Sequence, residues 1–161
     1  IRAKYLIEAG VSMIEVGDPV ASGDLISPLL YETLAFPYHQ LLIDKIHVLG
    51  NVHVILHICG NTSKILHKMR ETDADILSLD TQVDLASARS MLGENVTLMG
   101  NVDTQKLASG SPQDVEAEAL ACIEKGGPTG FILSAGCALV RDTPAENISA
   151  LVNAANAFNF R

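Results

Sequence analysis

Cysteine and basic residues are both scarce in this chain of 161 residues: it has three cysteines, and 11 lysines and arginines against 19 aspartates and glutamates, for a formal charge of −8. Three thiols, an odd number, do not make a disulfide framework, so metal binding or reactivity is the better question to put to them. The acidic balance, with no basic cluster and only 4% aromatic residues, argues against phosphate-backbone binding as the main task. No apolar run approaches the roughly 18 residues that a membrane-spanning helix needs, and the first residues carry no secretory signal pattern. The expectation is a soluble, cytoplasmic protein with neither nucleic acid nor membrane as a partner. Linkers, repeats and low-complexity tracts are missing too. What is present, 48% hydrophobic residues against 19% charged, suffices for one packed domain and is too weakly charged for a disordered tail.

The chain opens with Ile1 inside an amphipathic helical pattern that runs to Ala9 and stops at Gly10, as expected for part of a longer protein. Short apolar runs then alternate with longer segments of helical period, the pattern of βα units around a parallel sheet. Strands are expected at Val11–Gly17, Val52–Cys59, Asp75–Asp80, Val96–Asn101 and Gly130–Ala135. Helices are expected at Pro28–Leu49, Thr62–Glu71, Val83–Leu92, Pro112–Lys125 and Pro144–Phe158. Ser111 before Pro112 and Thr143 before Pro144 mark helix starts, and Gly50, Gly93 and Gly126 mark ends.

Val52–Cys59 is the most informative segment, because side chains alternate faces along a strand. Val52, Val54, Leu56 and Ile58 suit packing under helices, while His53, Ile55, His57 and Cys59 share the other face. His57 and Cys59 stand about 6.5 Å apart along an extended strand, within reach of one ion at the roughly 2.0–2.3 Å that zinc requires. Cys137, on the loop after the last strand, would be a third ligand if that strand end borders the same mouth. One nitrogen and two sulfurs suit zinc, and a fourth open position marks a catalytic rather than a structural site. The alternative is that His57 and Cys59 are chance neighbours, with cysteine acting as a small buried hydrophobe.

Other strand ends also carry polar groups at the rim: Asp18, Asp80, and Asn101 with Asp103. Sites in parallel α/β folds form outside the carboxyl ends of strands. Cys122 reads as core, His39, His47 and His67 as surface or cap residues, and His53 as an inward-facing or supporting residue. Gly126–Gly130 is glycine-rich but precedes a strand, so it reads as a connection rather than a phosphate loop.

Four segments together, Gly17-Asp18-Pro19-Val20-Ala21-Ser22-Gly23-Asp24, His57-Ile58-Cys59-Gly60-Asn61-Thr62, Gly100-Asn101-Val102-Asp103 and Ser134-Ala135-Gly136-Cys137, resemble the uroporphyrinogen decarboxylase superfamily, and within it the methylcobalamin:coenzyme M methyltransferases. The resemblance implies an α/β fold of the TIM (β/α)8 barrel family, with residues 1–161 its C-terminal part and about five βα units present. Where the decarboxylases resemble a Gly-His-Gly sequence, this chain reads Gly136-Cys137-Ala138. The methyltransferases hold zinc through a His-x-Cys pair and a distant Cys, which the resemblance maps onto His57, Cys59 and Cys137.

The resemblance further implies methyl transfer from a methylated corrinoid, carried by a corrinoid protein, to a small thiol such as coenzyme M, as in methanogenesis. A free thiol with pKa near 8.5 is only about 3% ionised at pH 7, so a zinc ion that binds it as thiolate answers the chemical need. Asp80 is either a functional carboxylate at the metal or a loop cap. Asp18 either orients substrate or a ligand's N–H, or closes an Asx-turn. Asn101 and Asp103 either line the mouth and bind substrate or hold their loop. The competing functions are decarboxylation of a porphyrin-like substrate and a non-catalytic zinc- or corrinoid-partner-binding module. A partial barrel leaves open sheet edges, and a homo-oligomer that closes the barrel is the expected remedy.

Overall fold

The computed structural model describes residues 2–158. Helix α1 (Arg2–Glu8) precedes strand β1 (Met13–Gly17), and a 3-10 turn (Pro19–Ala21) leads to α2 (Pro28–Leu30) and α3 (Phe36–Leu49). There follow β2 (His53–Ile58), α4 (Leu66–Arg70), β3 (Ile76–Leu79), α5 (Leu85–Leu92), β4 (Thr97–Val102), α6 (Thr104–Ser109), α7 (Pro112–Gly126), β5 (Phe131–Ala135) and α8 (Ala145–Ala157). The five expected strands are all present, each within two residues of its anticipated ends. The expected helix Pro28–Leu49 is interrupted by a π-helical stretch at Tyr31–Ala35, and Phe36 N donates to Tyr31 O. Pro37 supplies the reason: without an N–H it cannot bond the carbonyl one α-turn back, and the winding loosens ahead of it. Helix α4 is shorter than the pattern suggested, and α6 lies in a segment that carries too few apolar residues to show a period.

All four pairings are parallel, in the order β1-β2-β3-β4-β5. The register aligns Gly17 with His57, His57 with Ser78, Ser78 with Met99, and Met99 with Ile132. Burial follows position in this sheet. Central β3 is buried at every residue, whereas β1 alternates, with Ile14 and Val16 buried between exposed Met13, Glu15 and Gly17. A strand covered on both faces reads as a continuous apolar run, and an edge strand of an open sheet does not. Among the described residues β1 and β5 each pair with one neighbour only, so both edges are free. Leu56, Leu77, Leu79 and Leu98 are fully buried and anchor the core between sheet and helices, each contributing about 1.5–3 kcal/mol through removal from water.

Two histidines differ from expectation. His39 is buried rather than at the surface, accepting or donating at both ring nitrogens: Nδ1 lies 3.4 Å from the Tyr31 hydroxyl and Nε2 3.0 Å from Asp18 Oδ2. The π-helical stretch ends just before His39, and α3 turns this residue toward β1, a placement that only packing sets. His53, expected to face the interior or support the site, is largely exposed at the opposite end of β2, where its Nδ1 lies 3.6 Å from Asp75 Oδ1. Its face of the strand is the inward one, but the open sheet leaves that end uncovered. Cys122 is buried on α7, as expected of a core residue.

Candidate metal centre

The carboxyl ends of the strands form one rim, and two glycines allow its loops to close on one another. Gly136 follows β5, and a Cβ there would collide with Thr81 in the loop after β3. Gly60 follows β2 with φ +76°, in the left-handed region that glycine tolerates, and a Cβ would collide with the Ser22 and Asp24 side chains of the loop after β1. The first approach draws Cys137 inward; the second fixes the chain just beyond Cys59.

These placements bring His57, Cys59 and Cys137 together. One potential ligand atom from each lies within 4.8 Å of the other two, the only such group of three among the described residues. Cys59 Sγ is 3.4 Å from His57 Nε2 and 3.6 Å from Cys137 Sγ. Ligand atoms arranged tetrahedrally around zinc stand roughly 3.5–3.8 Å apart, so these two edges of the triangle suit that ion. His57 is buried, and its Nδ1 lies 3.0 Å from Ser78 Oγ and 3.3 Å from the Ser78 carbonyl oxygen. A carbonyl oxygen accepts only, so this contact places the proton on Nδ1 and leaves the Nε2 lone pair toward Cys59. The donor set therefore fits a zinc ion.

Burial, then Cys137 and the negative charge of Asp80 nearby, push the Cys59 thiol up to about 11. Without a cation, the Cys59 thiol stays protonated at neutral pH. A dication at the shared centre reverses that preference, because it favours the charged form of each ligand.

A cavity of about 290 Å³ opens over the three donors and is lined also by Glu15, Ser78, Met99 and Ser134. Glu15 and Ser78 were not singled out in the sequence. The signal was available for Glu15, a lone carboxylate at an inward position of the short strand Met-Ile-Glu-Val-Gly. Ser78 sits in an otherwise apolar strand, and nothing in its neighbours announces a histidine across the sheet. A larger hollow of about 530 Å³ lies along the rim between Asp24, Ser27, Asn61 and Lys64, but it carries no such donor set.

The remaining rim residues hold loops. Asp80 accepts from Gly60 N through Oδ2 at 2.9 Å and from Gln82 N through Oδ1 at 3.0 Å, so both its oxygens serve backbone. Asp18 Oδ1 accepts from Val20 N and Ala21 N, capping the 3-10 turn, while Oδ2 faces His39 rather than His57. Buried Asn101 donates through Nδ2 to the carbonyls of Asp80 and Val83, tying β4 to the loop after β3. Asp103 caps α6 by accepting from Gln105 N at 2.8 Å. Rim position alone does not make these groups part of the donor cluster.

Comparison with known proteins adds to this geometry. Residues 2–158 match the family model described as uroporphyrinogen decarboxylase. The chain is 36% identical over 159 residues to a methylcobamide:CoM methyltransferase, MtbA, of Methanosarcina mazei, covering 98% of this chain and 45% of that enzyme. It is 38% identical over 149 residues to a uroporphyrinogen decarboxylase of Trichodesmium erythraeum, covering 92% of this chain and 41% of that one. A solved structure of a methyltransferase from Methanosarcina mazei superposes with a TM-score of 0.87 at 32% identity, over 96% of this chain and 44% of that chain. The chain thus spans less than half the length of these relatives. The sheet of parallel strands accordingly corresponds to a partial barrel.

Proposed function

The chain belongs to the uroporphyrinogen decarboxylase family, and on that footing we propose that it carries the thiol-activating centre of a zinc-dependent methyltransferase, which moves a methyl group from a methylated corrinoid to a small thiol such as coenzyme M. The observation that supports this reading is the convergence of His57 Nε2, Cys59 Sγ and Cys137 Sγ under a cavity. A zinc ion held by these three would take a substrate thiol in its open position as thiolate at neutral pH. Ser78 keeps the His57 ring in the tautomer that presents Nε2. Cys59 and Cys137 would hold the dication as thiolates, and their two negative charges would leave electron density on a substrate sulfur bound beside them. Gly60 and Gly136 set the loops that carry the two sulfurs. A methylated corrinoid bound over the cavity would supply the methyl group to a sulfur held at these three residues. Asp80, Asp18, Asn101 and Asp103 act by holding the rim.

In this reading residues 1–161 are the C-terminal part of a (β/α)8 barrel in a cytoplasmic protein. The free edges of β1 and β5 then pair with further strands or with another copy, and a corrinoid protein docks at the rim. The test uses full-length protein purified without added zinc, with bound metal measured alongside turnover of methylcobalamin with a panel of thiols. Stoichiometric zinc with thiol-dependent loss of the methyl group is the expected result. The decarboxylase relatives favour a second reading at similar identity; metal-free protein that consumes uroporphyrinogen would establish it in place of the first. Zinc with capture of a corrinoid protein and no methyl transfer would instead mark a binding module.

A further inference from the structure

Glu15 is a carboxylate without a protein partner in the cavity that holds the metal donors. It lies at an inward position of β1, and among the described residues no hydrogen bond or ion pair engages it, unlike the rim aspartates, each of which accepts from backbone N–H groups. Its side chain climbs the strand: Oε1 lies 3.8 Å from where a Cβ of Gly17 would stand. Gly17 is the register partner of His57, so the carboxylate reaches along β1 toward the level of the histidine on the neighbouring strand. Glu15 nonetheless falls outside the group of ligand atoms that lie within 4.8 Å of one another. It is placed beside the centre, facing what enters the cavity.

We propose that Glu15 is the base that receives the proton of the thiol substrate as its sulfur enters the metal centre. The inference rests on the thiol-activating function proposed above. In the step the S–H bond breaks, its electron pair stays on sulfur, and the proton forms an O–H bond to Glu15, which returns it to water after the product leaves. The other ionisable groups that face this position are His57 from β2, Cys59 just after it and Cys137 from the loop after β5; Ser78, Met99 and Ser134 bring no charge from β3, β4 and β5. His57 has its Nδ1 engaged by Ser78 and its Nε2 committed as a donor, and the two thiols are needed as ligands. Glu15 is therefore the one lining group free to accept a proton. No lysine or arginine lines the cavity to neutralise it.

The experiment compares full-length parent and Glu15→Gln protein loaded with cobalt(II) in place of zinc, following the sulfur-to-cobalt charge-transfer band in stopped flow when coenzyme M or its selenium analogue is added. Both proteins are expected to bind one equivalent of metal. The variant should take up the thiol about 100-fold more slowly at neutral pH, the scale of a lost general base, with the gap closing as the pH rises past the thiol's own pKa. The selenol, already ionised at neutral pH, should enter both proteins at similar rates or enter the variant faster. Equal thiol rates, equal slowing of thiol and selenolate, or loss of metal from the variant would each overturn the role of Glu15. Absence of any charge-transfer band in the parent would instead overturn the thiol-activating centre itself, and this proposal with it.

Discussion

Cys59 and Cys137, 78 residues apart in sequence, place their Sγ atoms 3.6 Å from each other at the rim of the sheet. A disulfide needs about 2.05 Å, so a small movement of either loop would join them, whereas Cys122 is buried on α7 and stands apart. Mild oxidation of metal-free protein with diamide should therefore consume two of the three thiols, and zinc should protect both. Thiol titration in denaturant before and after oxidation checks this. Loss of no thiol, or equal loss with zinc present, would contradict a shared centre.

Ser78 supports the histidine rather than the ion. Ser78→Ala removes the 3.0 Å hydroxyl contact with His57 Nδ1 and leaves only the longer one to the carbonyl. Outer partners of metal-bound histidines are worth about 10–100-fold in metal affinity, and competition with a chromophoric chelator should show a loss at the low end of that range. Cys59→Ser and Cys137→Ser should each cost more, since they remove a ligand.

Arg89 on α5 is the principal clasp at the other end of the strands. Its guanidinium donates to four carbonyls, those of Gly126, Gly93, Val96 and Gly130, at 2.7–2.9 Å, and so ties the ends of α5 and α7 to the starts of β4 and β5. Arg89→Ala strands several part-buried carbonyls and should cost about 3 kcal/mol in urea unfolding. Arg89→Lys should recover less than half, because one ammonium cannot span the four acceptors.

Asp75 makes stability depend on acid. Partial burial pushes its carboxyl up, but the hydrogen bond from Val54 N at 2.7 Å and the His47 and His53 rings beside it outweigh that and hold it below its ordinary value. A carboxyl with a lowered folded value adds stability that is present above its unfolded pKa of about 3.9 and is lost as pH falls through the folded value. Asp75→Asn should therefore destabilise the protein at neutral pH by about 1 kcal/mol, a modest figure because the group is partly exposed to screening water. Denaturation midpoints followed from pH 7 down to about 2 should converge for parent and variant; a constant offset throughout would exclude the linkage.

Much of the architecture was legible in the sequence because it depends on short-range order. Alternation of apolar strands with helical segments announced the parallel sheet, and the two-residue period of a strand put His57 and Cys59 on one face before any fold was known. The capping pair Ser111 and Asp114 was likewise half visible, with Ser111 marking the helix start that both side chains cap. Helix α6 was not visible, since six residues with one buried leucine show no period.

What the sequence by itself determined is thus the order of elements and the local pairing of an imidazole with a thiol. Cys137 was named from the sequence as a third ligand on condition that its strand end borders the same mouth; tertiary structure met that condition and decided which further groups stand beside the three. Cys137 arrives because Gly136 lets two loops touch; Glu15 arrives because β1 pairs beside β2 with its inward face toward the same cavity; Asp80 turns away because backbone N–H groups, which must find acceptors when removed from water, claim both its oxygens, and Asp18 because its oxygens are shared between backbone N–H groups and His39. His39 is drawn into the core by partners 8 and 21 residues away. Competition among donors and acceptors across the sheet is settled only when the strands are in register, and for that reason the roles of the rim carboxylates could not be read along the chain.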